Sequence, residues 1–298
     1  MSKVVRKMDL ESAAEHGDLA RMTSLHADGY IDVTSDDCSR AVDRACRYDR
    51  LEVLKYLHET CGYRWDTDDW MICYRSVRCL QYAHEHGCFI AHETLELASE
   101  EELFDSIIYL VKHVNIAPDV TTFQNVAISG DVPTFEFLYN RERTVAHENA
   151  VYIMCAGASA GQIDILKFCI DHGFVLGGKN IDDVLSQTID VDVTDATNHH
   201  VKCLSFLLEH YGKVGPKTLH NLNYYCKHHF LDFDRYSSFR WLFKIVDTPH
   251  LNTNKHPHLY EQCKQRREEI RLQRQYALAD AQGSIPDEVT KFVLAHYI

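Results

Sequence analysis

Glycine and proline are scarce in this 298-residue chain, at 13 and 6 residues. All-β folds turn repeatedly at Gly and Pro, so the shortage argues for helices. No stretch approaches the roughly 20 apolar residues that a membrane-spanning helix needs. Residues Met1 to Asp9 carry charges and no apolar segment, so no secretory signal is expected there. Basic residues are in deficit. The 31 Lys and Arg stand against 44 Asp and Glu, a formal charge of −13. That weighs against a phosphate-gripping protein, because nucleic-acid affinity comes mostly from Lys and Arg on phosphates. The hydrophobic share of 45% and the charged share of 25% are ordinary for a globular chain, so disorder is not the default.

Cysteine is not scarce, but its 11 residues are odd in number and accompany no visible secretion signal. A disulfide framework is therefore not expected, and a reducing interior, cytoplasmic or nuclear, is. Most of the cysteines lie in apolar helical stretches, as in Cys79-Leu80 and Phe168-Cys169-Ile170. There they are expected to act as small buried hydrophobes.

An internal repeat decides the architecture. Ala13-Ala14-Glu15-His16-Gly17-Asp18-Leu19 precedes an apolar helix that ends at Asp28-Gly29. Ala45-Cys46-Arg47-Tyr48-Asp49-Arg50-Leu51 precedes another that ends at Cys61-Gly62. The clearest copy runs from Ala158 through Gly161-Gln162-Ile163 to Asp171-His172-Gly173. The turn inside each copy falls at Gly17, Asp49, Arg75, Glu101, Gly130 and Gly161, spaced 26 to 32 residues apart. Weaker copies follow around Val201 to Gly212 and Phe239 to Ile245, giving seven to eight units.

Each unit is expected to be helix, tight turn, helix, cap, loop. The first helix is rich in small residues, which lets neighbouring backbones approach. Gly, Asp or Asn suits the turn because these residues tolerate left-handed backbone. In the second helix Ile163, Leu166, the stem of Lys167 and Ile170 recur at helical spacing. Its Glu/Asp-His-Gly ending places Gly at the C′ position and His at the negative end of the helix dipole. Asp36, Thr67 and Thr121 are candidate N-caps. Two helices cannot bury both of their apolar faces alone; stacking neighbours can.

These residues resemble the ankyrin repeat superfamily. The shared features are the Ala-rich first helix, the x-Gly-x-Leu turn and a second helix of the Val53-Leu54-Lys55-Tyr56-Leu57 type closing on Gly. The stretch Cys79-Leu80-Gln81-Tyr82-Ala83-His84-Glu85-His86-Gly87-Cys88 is similar to the divergent, shortened repeats common in large DNA viruses and some protists, and Gly62-Tyr63-Arg64-Trp65-Asp66 resembles their inter-repeat segment. The likeness covers roughly residues 10 to 250. It implies an all-α, ankyrin-like helical solenoid over 1–250 with a helical cap over 251–298. It also implies a protein-binding role, with a host factor as partner if the chain is viral. The chain departs from the family in lacking the Thr-Pro-Leu-His opening, and its 26-residue steps leave no room for full hairpin fingers.

Candidate chemistry is sparse. His16, His86 and His172 recur at repeat spacing, the mark of a structural role. The groups His199, His200, Cys203; Cys226, His228, His229; and His250, His256, His258, Cys263 show no paired metal-ligand frame. Gly177-Gly178-Lys179 is a Gly pair before a helix, not a phosphate loop. Gly157-Ala158-Ser159-Ala160-Gly161 fits the Gly-x-Ser-x-Gly pattern literally, but a nucleophile elbow needs a preceding strand, and this stretch occupies a repeat's first helix. Acidic groups at Glu93, Glu96, Glu100, Glu101, Glu102 and Asp105, and at Asp182, Asp183, Asp190, Asp192 and Asp195, serve solubility or steer a basic partner. The stretch His258 to Gln282 crowds Glu, Lys and Arg on a predicted solvated capping helix.

The expectation is a non-enzymatic interaction scaffold or adaptor that binds through the concave face of the solenoid, built by first helices and inter-repeat loops, with no catalytic residue, metal or cofactor. Its partner is another protein, not a membrane or a small molecule. The candidate contact residues are Tyr30, Asp32, Tyr63, Arg64, Asp68, Phe89 and His92, while Trp65 is expected to pack between units. A nucleic-acid-binding helical repeat and a hydrolase or zinc-dependent enzyme are the competing classes.

Overall fold

The computed structural model describes residues 3–65, 73–188, 198–211 and 217–218. Among them the regular structure is entirely helical, with no strand. The helices are α1 (Lys3–His16), α2 (Leu19–Ala27), α3 (Asp36–Arg47), α4 (Leu51–Lys55), α5 (Val77–Glu85), α6 (Thr94–Glu100), α7 (Phe104–Tyr109), α8 (Val120–Ser129), α9 (Val132–Arg141), α10 (Arg143–Glu148), α11 (Ala150–Ser159), α12 (Ile163–Asp171), α13 (Gly178–Gln187) and α14 (Asn198–Tyr211). Two of them, α4 and α7, continue as wider π turns over Tyr56–Thr60 and Leu110–Val114. The chain divides into two compact units. One holds Met1–Val126 and Pro133–Val145, the other Ala127–Val132 and Ala146 onward. The expected cap at 251–298 and the last repeat copy lie outside the described residues.

The recurrent turn has one hydrogen-bond pattern. The residue after the turn donates its N–H five residues back, and the turn residue donates three back. The bonds are Asp18→Ala13 (2.9 Å) and Gly17→Ala14 (3.3 Å), Arg50→Ala45 (2.7 Å) and Asp49→Cys46 (3.2 Å), and Gln162→Gly157 (2.8 Å) and Gly161→Ala158 (3.1 Å). This is the Schellman motif, which satisfies carbonyls that a helix end leaves orphaned. It requires positive φ, found at Gly17, Asp49, Gly130 and Gly161 as the spacing predicts. In the fourth copy the left-handed residue is Glu102, one past the expected Glu101, and Leu103→Ala98 (2.9 Å) closes the motif. Arg75 is not left-handed; its turn leads into α5 through the N-cap Ser76.

Helices of like rank pack on one another. In the first unit α1 lies on α3, α2 on α4, α4 on α5 and α5 on α7. In the second, α11 lies on α13 and α12 on α14. Small residues make the close approach possible: Ala14, Ala41, Ala45, Ala98 and Ala158 are fully buried on first helices. Leu54, Leu57, Leu80 and Leu110 fill the second-helix layer with no exposed surface. Each such side chain contributes roughly 1.5–3 kcal/mol. In α12 the buried face is Ile165, Leu166, Phe168 and Cys169, while Lys167 is exposed and pairs with Asp164. Of the expected stripe through Ile163, Leu166, the stem of Lys167 and Ile170, Leu166 is buried, Ile163 and Ile170 are half-buried, and Lys167 is exposed.

The caps also differ by a residue or two from expectation. Ser35, not Asp36, caps α3 by accepting from Cys38 N–H. Asp119, not Thr121, accepts from the Thr122 N–H at 2.9 Å at the start of α8. Thr67 lies outside the described residues. The connection after α9 is the short helix α10 rather than a loop.

Side chains strap successive turns together. Arg50 Nε donates to the Glu15 carbonyl at 2.9 Å, Gln162 Nε2 to the Ile128 carbonyl at 2.8 Å, and His200 Nε2 to the Ser159 carbonyl at 2.8 Å. Each acceptor lies two residues before a left-handed glycine of the preceding copy, and the strap crosses over that glycine. A Cβ on Gly17 would meet Arg50 Cδ at 3.0 Å, one on Gly130 would meet Gln162 Oε1 at 2.4 Å, and one on Gly161 would meet His199 and His200 at 3.1–3.2 Å. At Asp49 the carboxylate does the bridging itself. It accepts from Ser76 Oγ at 2.5 Å and from Arg78 at 2.9 Å.

Candidate functional site

The segments that follow the second helices carry most of the sequence-derived contact residues. Each begins with a left-handed residue at Gly29, Gly62, Gly87, Asn115 or Gly173. The next residue donates back to the helix, as in Tyr30→Leu25, Cys88→Ala83 and Phe174→Cys169, all 2.9 Å. After the two π turns the bond reaches one residue further, as in Tyr63→Leu57 (2.9 Å) and Ile116→Leu110 (3.2 Å). An apolar residue at this position packs on the helix it has just left. Cys88, Ile116 and Phe174 are accordingly buried.

That position corrects one expectation. Tyr63 is 2% exposed and belongs to the core, because it follows the left-handed Gly62. Its neighbour Arg64 points outward. Phe89 sits in the same register, two residues past Gly87, and is 67% exposed. Val175, two past Gly173, is 85% exposed; sequence reasoning missed it, although the register would have found it. Tyr30 is exposed despite its inward-type position. His92 is exposed. Asp32 is exposed too, but its carboxylate accepts from Thr34 N–H at 3.0 Å and Thr34 Oγ1 at 2.7 Å, and its carbonyl accepts from Ser35 Oγ. It shapes its loop. Asp68 lies outside the described residues.

Histidine and tyrosine brace these segments from the second helices. His26, His58 and His84 meet Tyr56, Tyr82 and Tyr109 of the next copy through Nδ1 at 3.1, 2.9 and 3.0 Å. In each rung the two rings are edge to face. Tyr82 Oη also lies 2.9 Å from Glu59, to which it donates, so His58 must be the donor to Tyr82. Burial first, and the neighbouring Glu59 next, push the Tyr82 phenol above its ordinary range. Burial, then the nearby His86, hold the His58 imidazole below its ordinary value. Trp65 stacks on His58 at 4.8 Å and donates its indole N–H to the His86 carbonyl at 3.0 Å, so it packs between copies as expected.

His16, His86 and His172 each place Nδ1 at 2.8 Å from the carbonyl four residues back. A carbonyl only accepts, so each ring nitrogen carries its proton there and caps the helix end. His86 and His172 also lie over the Tyr82 and Phe168 rings, at 4.0 and 3.8 Å.

Charges on the first helices form a ladder. Arg40 reaches Glu11 at 2.8 Å and also pairs with Asp37; Arg44 faces Glu15 at 3.8 Å. Arg75 lies 3.8 Å from Asp43 and 3.0 Å from Glu101. The acidic residues from Glu93 to Asp105 are all exposed, and Arg75 enters from the preceding copy to pair with Glu101. Tyr74 donates to Glu101 at 2.7 Å, and burial with that carboxylate pushes its phenol up to about 12. In the second acidic group Asp182 caps backbone, accepting from Lys217 and Thr218 N–H at 2.8 and 3.0 Å. Asp190, Asp192 and Asp195 lie outside the described residues.

The residues singled out for chemistry do not converge. Ser159 Oγ donates to the Ala156 carbonyl at 2.9 Å, at the end of a helix rather than after a strand. His200 is buried and straps Ser159, Cys203 is buried, and His199 faces out. Gly177 is the N-cap of α13. The other two His/Cys groups lie outside the described residues. Among the described residues no group of three or more His, Cys, Asp or Glu is arranged to hold a metal, and no helix is long and apolar enough to cross a membrane. No family model matches the chain, and no curated protein matches it in sequence.

Proposed function

We propose that the helix pairs stack as an ankyrin-like solenoid of seven to eight shortened repeats and that the protein is a non-enzymatic interaction scaffold. Its contact surface is the row of segments between repeats, and its partner is another protein in a reducing compartment, cytoplasmic or nuclear. The carrying observation is that Phe89 and Val175 stand 67% and 85% exposed at the same register of their segments. Large apolar side chains held outward on hydrogen-bonded loops over a rigid scaffold are where binding residues concentrate. Like-rank helix packing and the straps across successive turns support the stacking. Free thiols at every described cysteine support the compartment.

The test is affinity capture with the full chain against Phe89→Glu and Val175→Glu variants whose melting is unchanged. The reading predicts a protein bound at micromolar concentration or tighter that at least one charge variant loses. Equal capture by all three proteins would place the contact elsewhere; no stable partner at all would count against the scaffold role.

A further inference from the structure

Four cysteines from two neighbouring repeats gather in the core of the first unit: Cys46, Cys73, Cys79 and Cys88, between 0% and 4% exposed. Cys46 Sγ donates to Cys73 Sγ at 3.8 Å. Cys46 lies in the last turn of α3, and Cys73 stands just before the turn into α5. The pair is 27 residues apart in sequence and spans the joint between the two repeats. Small hydrophobic roles would account for each thiol separately, but not for two sulfurs in mutual contact across a joint.

We propose that Cys46 and Cys73 form a reversible disulfide when hydrogen peroxide reaches them, locking adjacent repeats together. This goes beyond the scaffold role and does not depend on it. The two sulfurs are asymmetric. Hydrogen bonds from Cys46 and then Cys88 hold the Cys73 thiol below its ordinary range, against the effect of burial. Hydrogen bonding to Cys73 and Cys79, then burial, raises Cys46. Cys73 is therefore the nucleophile. Its thiolate attacks one peroxide oxygen, the O–O bond breaks, and hydroxide leaves, giving Cys73 sulfenic acid. The hydroxide takes up the proton released by Cys73 and becomes water. Cys46 sulfur then attacks the Cys73 sulfur, the S–O bond breaks, and the second water leaves with the Cys46 proton. Two thiols are oxidised and one peroxide is reduced to two waters. A small oxidant is required because both sulfurs are sealed and open only by local fluctuation.

The experiment treats the folded full-length chain with hydrogen peroxide, quenches with an alkylating reagent in acid denaturant, and maps linked peptides by mass spectrometry. The expected product joins Cys46 to Cys73, is lighter by two hydrogens, lacks two alkylatable thiols, and reverts with reductant. A Cys61→Ala variant, altered at a half-exposed thiol, gives the same link. Cys73→Ala removes the link and leaves Cys46 fully alkylatable, as expected of the less reactive partner. The proposal is overturned if Cys61 is oxidised while Cys46 and Cys73 stay fully alkylatable, or if Cys73 is found joined to Cys79 or Cys88.

Discussion

Gly130→Ala is the substitution whose cost the turn geometry specifies most completely. Gly130 has a φ of 81°, and a Cβ placed on it would lie 2.4 Å from Gln162 Oε1. Two penalties follow. Left-handed backbone costs a residue with a Cβ roughly 1–2 kcal/mol. The Gln162 side chain must also withdraw, losing its 2.8 Å bond to the Ile128 carbonyl. That loss is worth about 1 kcal/mol, so the total is about 2–3 kcal/mol. Gly87→Ala is the control: its φ is 84°, yet nothing lies within 4 Å, so only the backbone term applies. Gln162→Ala alone forfeits the bond, about 1 kcal/mol. In the double variant the bond is lost only once, so the two changes fall short of additivity by about 1 kcal/mol. Urea unfolding of the four proteins measures this cycle. Equal costs at Gly130 and Gly87, with additive behaviour toward Gln162, would refute the strap.

Three further outcomes are expected. Tyr63→Ala should destabilise the protein by about 3–5 kcal/mol, the range for losing a buried aromatic side chain, while Arg64→Ala at the adjacent exposed position should stay within about 0.5 kcal/mol; thermal melts of the pair check the inward–outward register. Because the folded His58 pKa lies below its ordinary 6.5, the unfolded chain binds the proton first. The His58 contribution to stability is therefore complete above pH 6.5 and falls as pH drops below it toward the lowered folded value. His58→Gln should flatten that part of the pH–stability curve, and an unchanged slope would contradict the assignment. Tyr82→Phe should cost on the order of 1–3 kcal/mol, because it takes one partner each from His58 and Glu59; denaturant midpoints measure it.

The left-handed turns were legible in the sequence wherever glycine or aspartate filled them, since few other residues sit comfortably at positive φ. Glu102 escaped because three successive glutamates offer no such signal, and the fold alone selects the last. Tyr63 was misjudged because an aromatic in a loop looks like a contact residue. Only its offset from Gly62 reveals that it follows a cap. The His–Tyr rungs were out of reach for a different reason. Their partners lie 30, 24 and 25 residues apart, so no fixed spacing exposes them. The Tyr56-x-His58 and Tyr82-x-His84 doublets were the available clue. The two π turns left no mark either, and they lengthen the cap bond by one residue.

The central proposal is that successive helix pairs lie side by side in a row. Small-angle X-ray scattering of the full chain tests it most directly. A compact globule of this length would have a radius of gyration of about 19 Å and a longest dimension near 50 Å. Seven or eight pairs, each advancing about 9 Å, predict a skewed distance distribution with a tail beyond about 65 Å. A symmetric distribution that ends near 50 Å would contradict the row of stacked pairs.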